Sequence, residues 1–337
     1  MAVSGTVPTE LGDKKIRDLL MQYAVPAIIA MTASSLYNMV DSIFIGHIKD
    51  VGSYAISGLA VTFPLMNIST ALGTLVGVGA STILSMLLGQ RNYQAANKVI
   101  INEVMLNVII GTLYTVITLV FLDPILMFFG ASANTLPYAR DYMVIILIGN
   151  VITHLYFGLN NIIRASGNPK LAMALTIFTV VSNTILDPIF IFWLDMGIKG
   201  AALATVICQL LALVYTVRYF LSGKNYLRLP RRMSEYRLDW RIAKDSLTVG
   251  MGPFLMNSAA CIVTMFINQQ LSKYGGDLAI GAYGIVNRFT FLFIMVNMGL
   301  NQGMQPIAGY NFGAREYSRV KQVFWLTVIC ASAVSFL

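Results

Sequence analysis

Asn183-Thr184-Ile185-Leu186-Asp187-Pro188 places a carboxylate inside an apolar run long enough to cross a membrane. A second lone carboxylate, Asp41, stands in the first such run of the chain. An ionisable side chain at bilayer depth costs at least roughly 2.5 kcal/mol on insertion scales, so two retained carboxylates point to a use for both. Asn183 and Asp187 are four residues apart and share one helix face. Pro188 has no N–H and presses on the carbonyl of Thr184, freeing that oxygen as a further cation ligand. The stretch therefore predicts a cation site within a transporter.

Composition agrees with a membrane setting. Of 337 residues 57% are hydrophobic and 11% charged, against roughly 25% charge in soluble domains. The net charge of +8 is not a nucleic-acid footprint, because the Lys and Arg residues fall at the ends of apolar runs and not on one exposed face. Cys208, Cys261 and Cys330 lie in separate apolar segments without metal-ligand spacing and read as small core residues. The first apolar run exceeds a signal-peptide core in length and lacks a small-residue cleavage site, so it is expected to stay as a span.

Runs near 18–46, 56–88, 98–122, 136–163, 171–194, 197–221, 246–272 and 279–309 make eight expected spans. A ninth begins near Val320 and is still apolar at Phe336-Leu337, which predicts a piece of a longer chain. Basic residues cluster at the N-terminus (Lys14, Lys15, Arg17) and in alternate loops (Arg91 and Lys98, Arg164 and Lys170, Lys224 to Lys244, Arg315 to Lys321). That places the N-terminus in the cytoplasm. The polar stretch 222–245 reads as a solvated linker.

Gly89-Gln90-Arg91-Asn92-Tyr93 recurs as Gly313-Ala314-Arg315-Glu316-Tyr317, each after the second span of its half; Pro26 and Pro253, and Gly79 and Gly303, also correspond. Repeats six spans apart share one orientation and are related by an axis along the membrane normal. The predicted fold is an all-α polytopic membrane protein of two six-helix lobes, with an N-lobe at 1–221, a linker at 222–245 and an incomplete C-lobe at 246–337.

Several motifs together are specific. They are Met39 through Gly46, Arg164-Ala165-Ser166-Gly167-Asn168-Pro169, Asn183 through Pro188, Gly200 through Thr205, and Gln305-Pro306 through Gly313. On these residues the chain resembles the multidrug and toxic compound extrusion (MATE) family, its MepA-like bacterial branch above all. The resemblance implies an antiporter of the bacterial cytoplasmic (inner) membrane that exports organic cations or drugs for protons or sodium by alternating access of two lobes. It implies a cation site at Asp41, Asn183, Asp187 and Thr205, with no resident cofactor and no metal beyond sodium there; the protein is expected to act as a monomer.

Rise per residue puts Asp41, Asp187, Thr205 and Asn183 in one layer of the outer half of the first lobe, roughly 8 to 16 Å deep. Tyr37, one turn from Asp41, is expected to donate a hydrogen bond to it. Two carboxylates close together in a medium of low dielectric readily hold one proton between them. Met39, Met256, Met265 and Arg288 are candidates for lining a substrate cleft, the flexible thioethers suiting a promiscuous apolar pocket. Glu103, one turn into the third span, reads as interfacial, and His47 and His154 as histidines without ligand spacing.

A membrane-embedded enzyme would need a convergent nucleophile, acid-base pair or metal cluster, and outside the Asp41 and Asp187 layer the sequence has none. A flippase for lipid-linked intermediates, the alternative within the same superfamily, would line its cavity with several basic residues, and only Arg288 is placed for that.

Overall fold

A computed structural model describes residues 10–48, 52–222, 226–230 and 232–336; the side chains at 38, 53, 233, 264–265, 268–269, 271–273, 275–289 and 292 lie outside that description. Among the described residues there are helices and no strands. After a four-residue turn, α1 (Glu10–Asp13), come α2 (Ile16–Gly46), α3 (Gly52–Gly89) and α4 (Tyr93–Val120). A short α5 (Leu122–Phe128), α6 (Leu136–Ala165), α7 (Pro169–Pro188) and α8 (Ile198–Leu221) follow, then α9 (Trp240–Gly313) and α10 (Tyr317–Phe336). Among the described residues, eight helices are long and apolar enough to cross a membrane.

The repeated glycine-to-tyrosine motif has one backbone conformation in both copies. Arg91 and Arg315 both sit in the left-handed region, at φ 58° and 64°. The following N–H groups, of Asn92 and Glu316, reach back to the carbonyls of Leu87 and Asn311. This is the hydrogen-bond closure with which a helix ends on a left-handed residue, here carried by arginine in place of glycine.

Where two spans and an intervening loop are expected over 246–309, α9 is helical throughout. It cannot run straight, because its two ends pack on the same stretch of α3. Gly250 lies against Leu75 and Ser246 against Gly79, while Gly309 lies against Ser85 and Gly313 against Met86. Leu75 and Met86 are about 16 Å apart along α3, whereas Gly250 and Gly313 would be about 95 Å apart on a straight helix. The chain must double back between the two contacts, so the expected antiparallel pair is present.

The second span of each half meets the first span of the other. As Leu75 meets Gly250 and Gly79 meets Ser246, so Gly299 meets Ile28 and Gly303 meets Ala24. One sequence offset separates Leu75 from Gly299, Gly79 from Gly303, Ser85 from Gly309 and Gly89 from Gly313. Ser85 and Gly309, which touch each other, therefore lie on the axis that relates the halves. A Cβ added at Gly79 would collide with the backbone carbonyl of Ser246, and one at Gly303 with the backbone of Ala24. Close backbone approach of this kind is what small residues permit between membrane helices.

The linker is docked by its apolar residues, while its charges Arg232, Glu235, Arg237 and Arg241 are exposed, as a solvated charge run should be. Tyr226, Leu227 and Leu229 are buried, and the Tyr226 hydroxyl donates to the Ser166 carbonyl at 2.8 Å. Asn97 of α4 donates to the Tyr226 carbonyl at 3.2 Å and accepts from the Arg228 N–H at 2.8 Å. Lys98 reaches Asp239 at 3.2 Å, and this hydrogen bond holds the Asp239 carboxyl below the usual range. Asn97→Ala should therefore lower stability by about 1–2 kcal/mol, since two linker backbone groups lose their partner. Thermal unfolding of the purified protein measures this; an unchanged midpoint would show that the linker is held by its apolar residues alone.

Candidate cation site

α7 sorts its residues onto two faces. Ala172, Thr176, Asn183 and Asp187 are buried, while Phe178, Val181 and Ile185 are exposed on the side left for lipid. Past Pro188 the helix does not stop but widens into a π-helical turn, Ile189–Trp193, the irregularity that often marks a functional site.

Asp187 is 0% exposed, Asn183 2% and Asp41 6%. Asn183 donates from Nδ2 to the Thr205 hydroxyl at 3.2 Å. The Tyr37 hydroxyl lies 3.1 Å from that same hydroxyl. The one-turn spacing predicts a Tyr37–Asp41 hydrogen bond; the partner of the Tyr37 hydroxyl is instead Thr205, which α8 brings up from the facing helix. Asp41 and Asp187 lie within electrostatic reach of one another, as do Tyr37 and Tyr142 of both, and Cys208 of Asp187. The structure thus brings together every residue named for the site, and adds Tyr142 from α6. Sequence reading missed Tyr142 because a tyrosine in an apolar run carries no signal of the helix it faces.

Four oxygens in this layer are buried without a hydrogen-bond donor: Oδ1 of Asp41, Oδ1 of Asn183, and both carboxylate oxygens of Asp187. Among the described residues no lysine or arginine pairs with either carboxylate. Unpaired acceptors of this kind are costly in a dry interior, and a proton or a hard cation that takes oxygen ligands relieves the cost. The arrangement is suited to holding such an ion and releasing it.

Of the cleft candidates, Met39 and Met256 are exposed, at 41% and 77%, and the side chains of Met265 and Arg288 lie outside the described residues. Glu103, read as interfacial, is instead fully buried. His154 is buried with Nε2 3.0 Å from the Ser69 hydroxyl, which also donates to Asn150 at 2.6 Å.

The MatE family model matches residues 26–189 and 253–337. The chain belongs to the MatE family. It is 30% identical over 323 residues to the multidrug export protein MepA of Staphylococcus aureus, covering 94% of this chain and 70% of that protein. It is likewise 30% identical to MepA of Staphylococcus haemolyticus, over 96% of this chain and 70% of the relative. A solved outward-facing multidrug resistance MATE transporter shares the fold, with a TM-score of 0.90 over 98% of this chain and 73% of its own at 24% identity. Membership in the MatE family makes the chain a multi-pass membrane transporter and not an enzyme.

Proposed function

We propose that the protein exports organic cations or drugs across a bacterial cytoplasmic membrane in exchange for protons or sodium. The observation that carries this is the layer of unpartnered oxygens on Asp41, Asn183 and Asp187, beside Thr205 and Tyr37. The names of the staphylococcal relatives, multidrug export proteins, support the substrate class. Residues 1–221 form one lobe and 246–337 belong to the other, with the linker 222–245 between them and the N-terminus in the cytoplasm, as the basic loops favour. The protein works as a monomer.

In this arrangement the glycine seam joins the cytoplasmic halves of the lobes. Outward of it, Leu36, Met39 and Ile43 on α2 and Leu255 and Met256 on α9 are exposed. The form is outward-facing, and alternating access requires the seam to open as the outer halves close. A cleft that is apolar and has few fixed charges favours flat lipophilic monocations, held by burial at roughly 25 cal/mol per Å² of apolar area.

Reconstitution in liposomes tests the reading. An imposed pH gradient or an imposed sodium gradient, acid or sodium on the outward side, should drive efflux of such a cation at least tenfold above the ungraded rate. No response to either gradient would overturn the exchange, and export of only a single hydrophilic metabolite would overturn the substrate class.

A further inference from the structure

Glu103 stands about 15 Å along α4 from its first residue. It is fully buried, and its one partner is the Asn107 amide one turn on, which donates to Oε1. The other carboxyl oxygen, Oε2, has no partner, and neither has Oδ1 of Asn107. The space that these groups fill exists because α6 has glycine opposite: a Cβ at Gly158 would overlap both the carboxyl and the Asn107 amide. Gly158 rests in turn against Gly77 of α3, so three helices close around the group.

Among the described residues no cation pairs with Glu103. Lys98, the nearest cation on α4, is drawn to Asp239 at the start of α9. Arg164 of α6 donates to Asn160, Asn161 and Gln302. Val76 of α3, Leu238 just before α9, and Ala243 and Leu247 of α9 surround Leu106, while Arg241 and Asp245 of α9 line a cavity with Lys98 and Asp239 at the mouth of α4. Farther out on the same seam, His154 of α6 sits on Gly111 of α4, with its Nδ1 also buried and unpartnered. A carboxylate sealed among apolar groups with one amide and no cation is not sustained as an anion, so the group is held neutral by a proton.

We propose that Glu103 is a second proton-binding site of this transporter, standing between the Asp41 and Asp187 layer and the end of the bundle where α4 begins. It exchanges its proton during the transport cycle. The barrier to exchange is the first turn of α9: the Asp239 N–H donates to Asn102, beside Glu103, at 2.9 Å, and Ala243 packs on Leu106 one turn on. When α9 moves with its half of the molecule, water reaches the carboxyl, the O–H bond breaks, and the proton passes to that water and leaves a hydrated carboxylate. This rests on the reading of the protein as an ion-coupled exporter.

Infrared difference spectroscopy of the protein in lipid bilayers tests it, because a protonated carboxyl has a carbonyl stretch separate from that of a carboxylate. The parent and the Asp41→Asn/Asp187→Asn double variant should both show a protonated-carboxyl band that is missing from Glu103→Gln. The band should lose at least half its intensity when tetraphenylphosphonium, the probe cation, is added or when the pH is raised. Glu103→Asp, which keeps the acid, should shift the same band and serves if the glutamine variant does not fold. A band assigned to Glu103 that responds to neither probe nor pH would mark a fixed structural acid and overturn the proposal, as would the absence of such a band. A responding band in a protein that no gradient drives would leave the Glu103 exchange standing while the exporter reading failed.

Discussion

Asp187→Asn and Asp41→Asn should each abolish gradient-driven efflux while equilibrium binding of drug stays within about tenfold, which is 1.4 kcal/mol. Asp187 has both carboxylate oxygens buried without a donor and Asp41 has one, so these oxygens are left for an arriving ion. An arriving ion satisfies these oxygens, and it biases the two forms of the transporter only by binding one of them better. An amide in place of the carboxylate keeps the shape and removes the charge that attracts the ion. Coupling is then lost, while the apolar cleft that holds drug is untouched. Efflux in reconstituted vesicles and a direct binding titration separate the two effects. Parent-rate efflux under a gradient by both variants would remove this layer from the coupling mechanism.

Gly79→Leu should hold the seam between the halves open, and Gly303→Leu should do the same from the other side. At each position the space for a side chain is already filled by backbone, at Ser246 and at Ala24, which cannot yield as a flexible side chain can. Overpacking of this kind costs about 1–3 kcal/mol, enough to shift a two-state equilibrium roughly tenfold or more. The readout is a cysteine at Ser85, which is fully buried on the seam, in a background with Cys208, Cys261 and Cys330 replaced by alanine. Maleimide should label it at least tenfold faster in either leucine variant. Labelling at the parent rate in a folded protein would mean that the seam does not govern access.

Much of this structure was legible in the residues, for reasons that differ by element. Asp41 and Asp187 stood out because a carboxylate inside a long apolar run has no bland place to go, and helical rise alone put them in one layer. The repeat was legible because a helix end on a left-handed residue leaves a motif, seen at Arg91 and again at Arg315. Side-chain direction was not legible: Tyr37 turned to Thr205 because another helix supplies the partner. The burial of Glu103 was not legible from α4 alone, because the room for it is made by Gly158 on another helix, α6. A signal for it was available. Glu103, Asn107 and Gly111 on α4, and Asn150, His154 and Gly158 on α6, are two polar stripes at one-turn spacing, each ending in a glycine opposite the other's polar group. The docking of the linker was not legible because its exposed charges outnumber Tyr226, Leu227 and Leu229, the few residues that hold it.

The glycine seam also bears on ancestry. Gly79 on Ser246 and Gly303 on Ala24 each set a glycine of one half's second span against the first span of the other half, the kind of contact that two copies of a half-length chain would make about a two-fold axis, with Ser85 and Gly309 standing where one residue would face its own copy. In such a dimer every substitution strikes both halves at once. Fusion into one chain releases each half to change alone. The released freedom is visible in the first span of each half: α2 keeps Asp41, while the apolar span that corresponds to it, from Ser246 to Ser272, holds no acid at all. The joint has kept its symmetry and the chemistry has not.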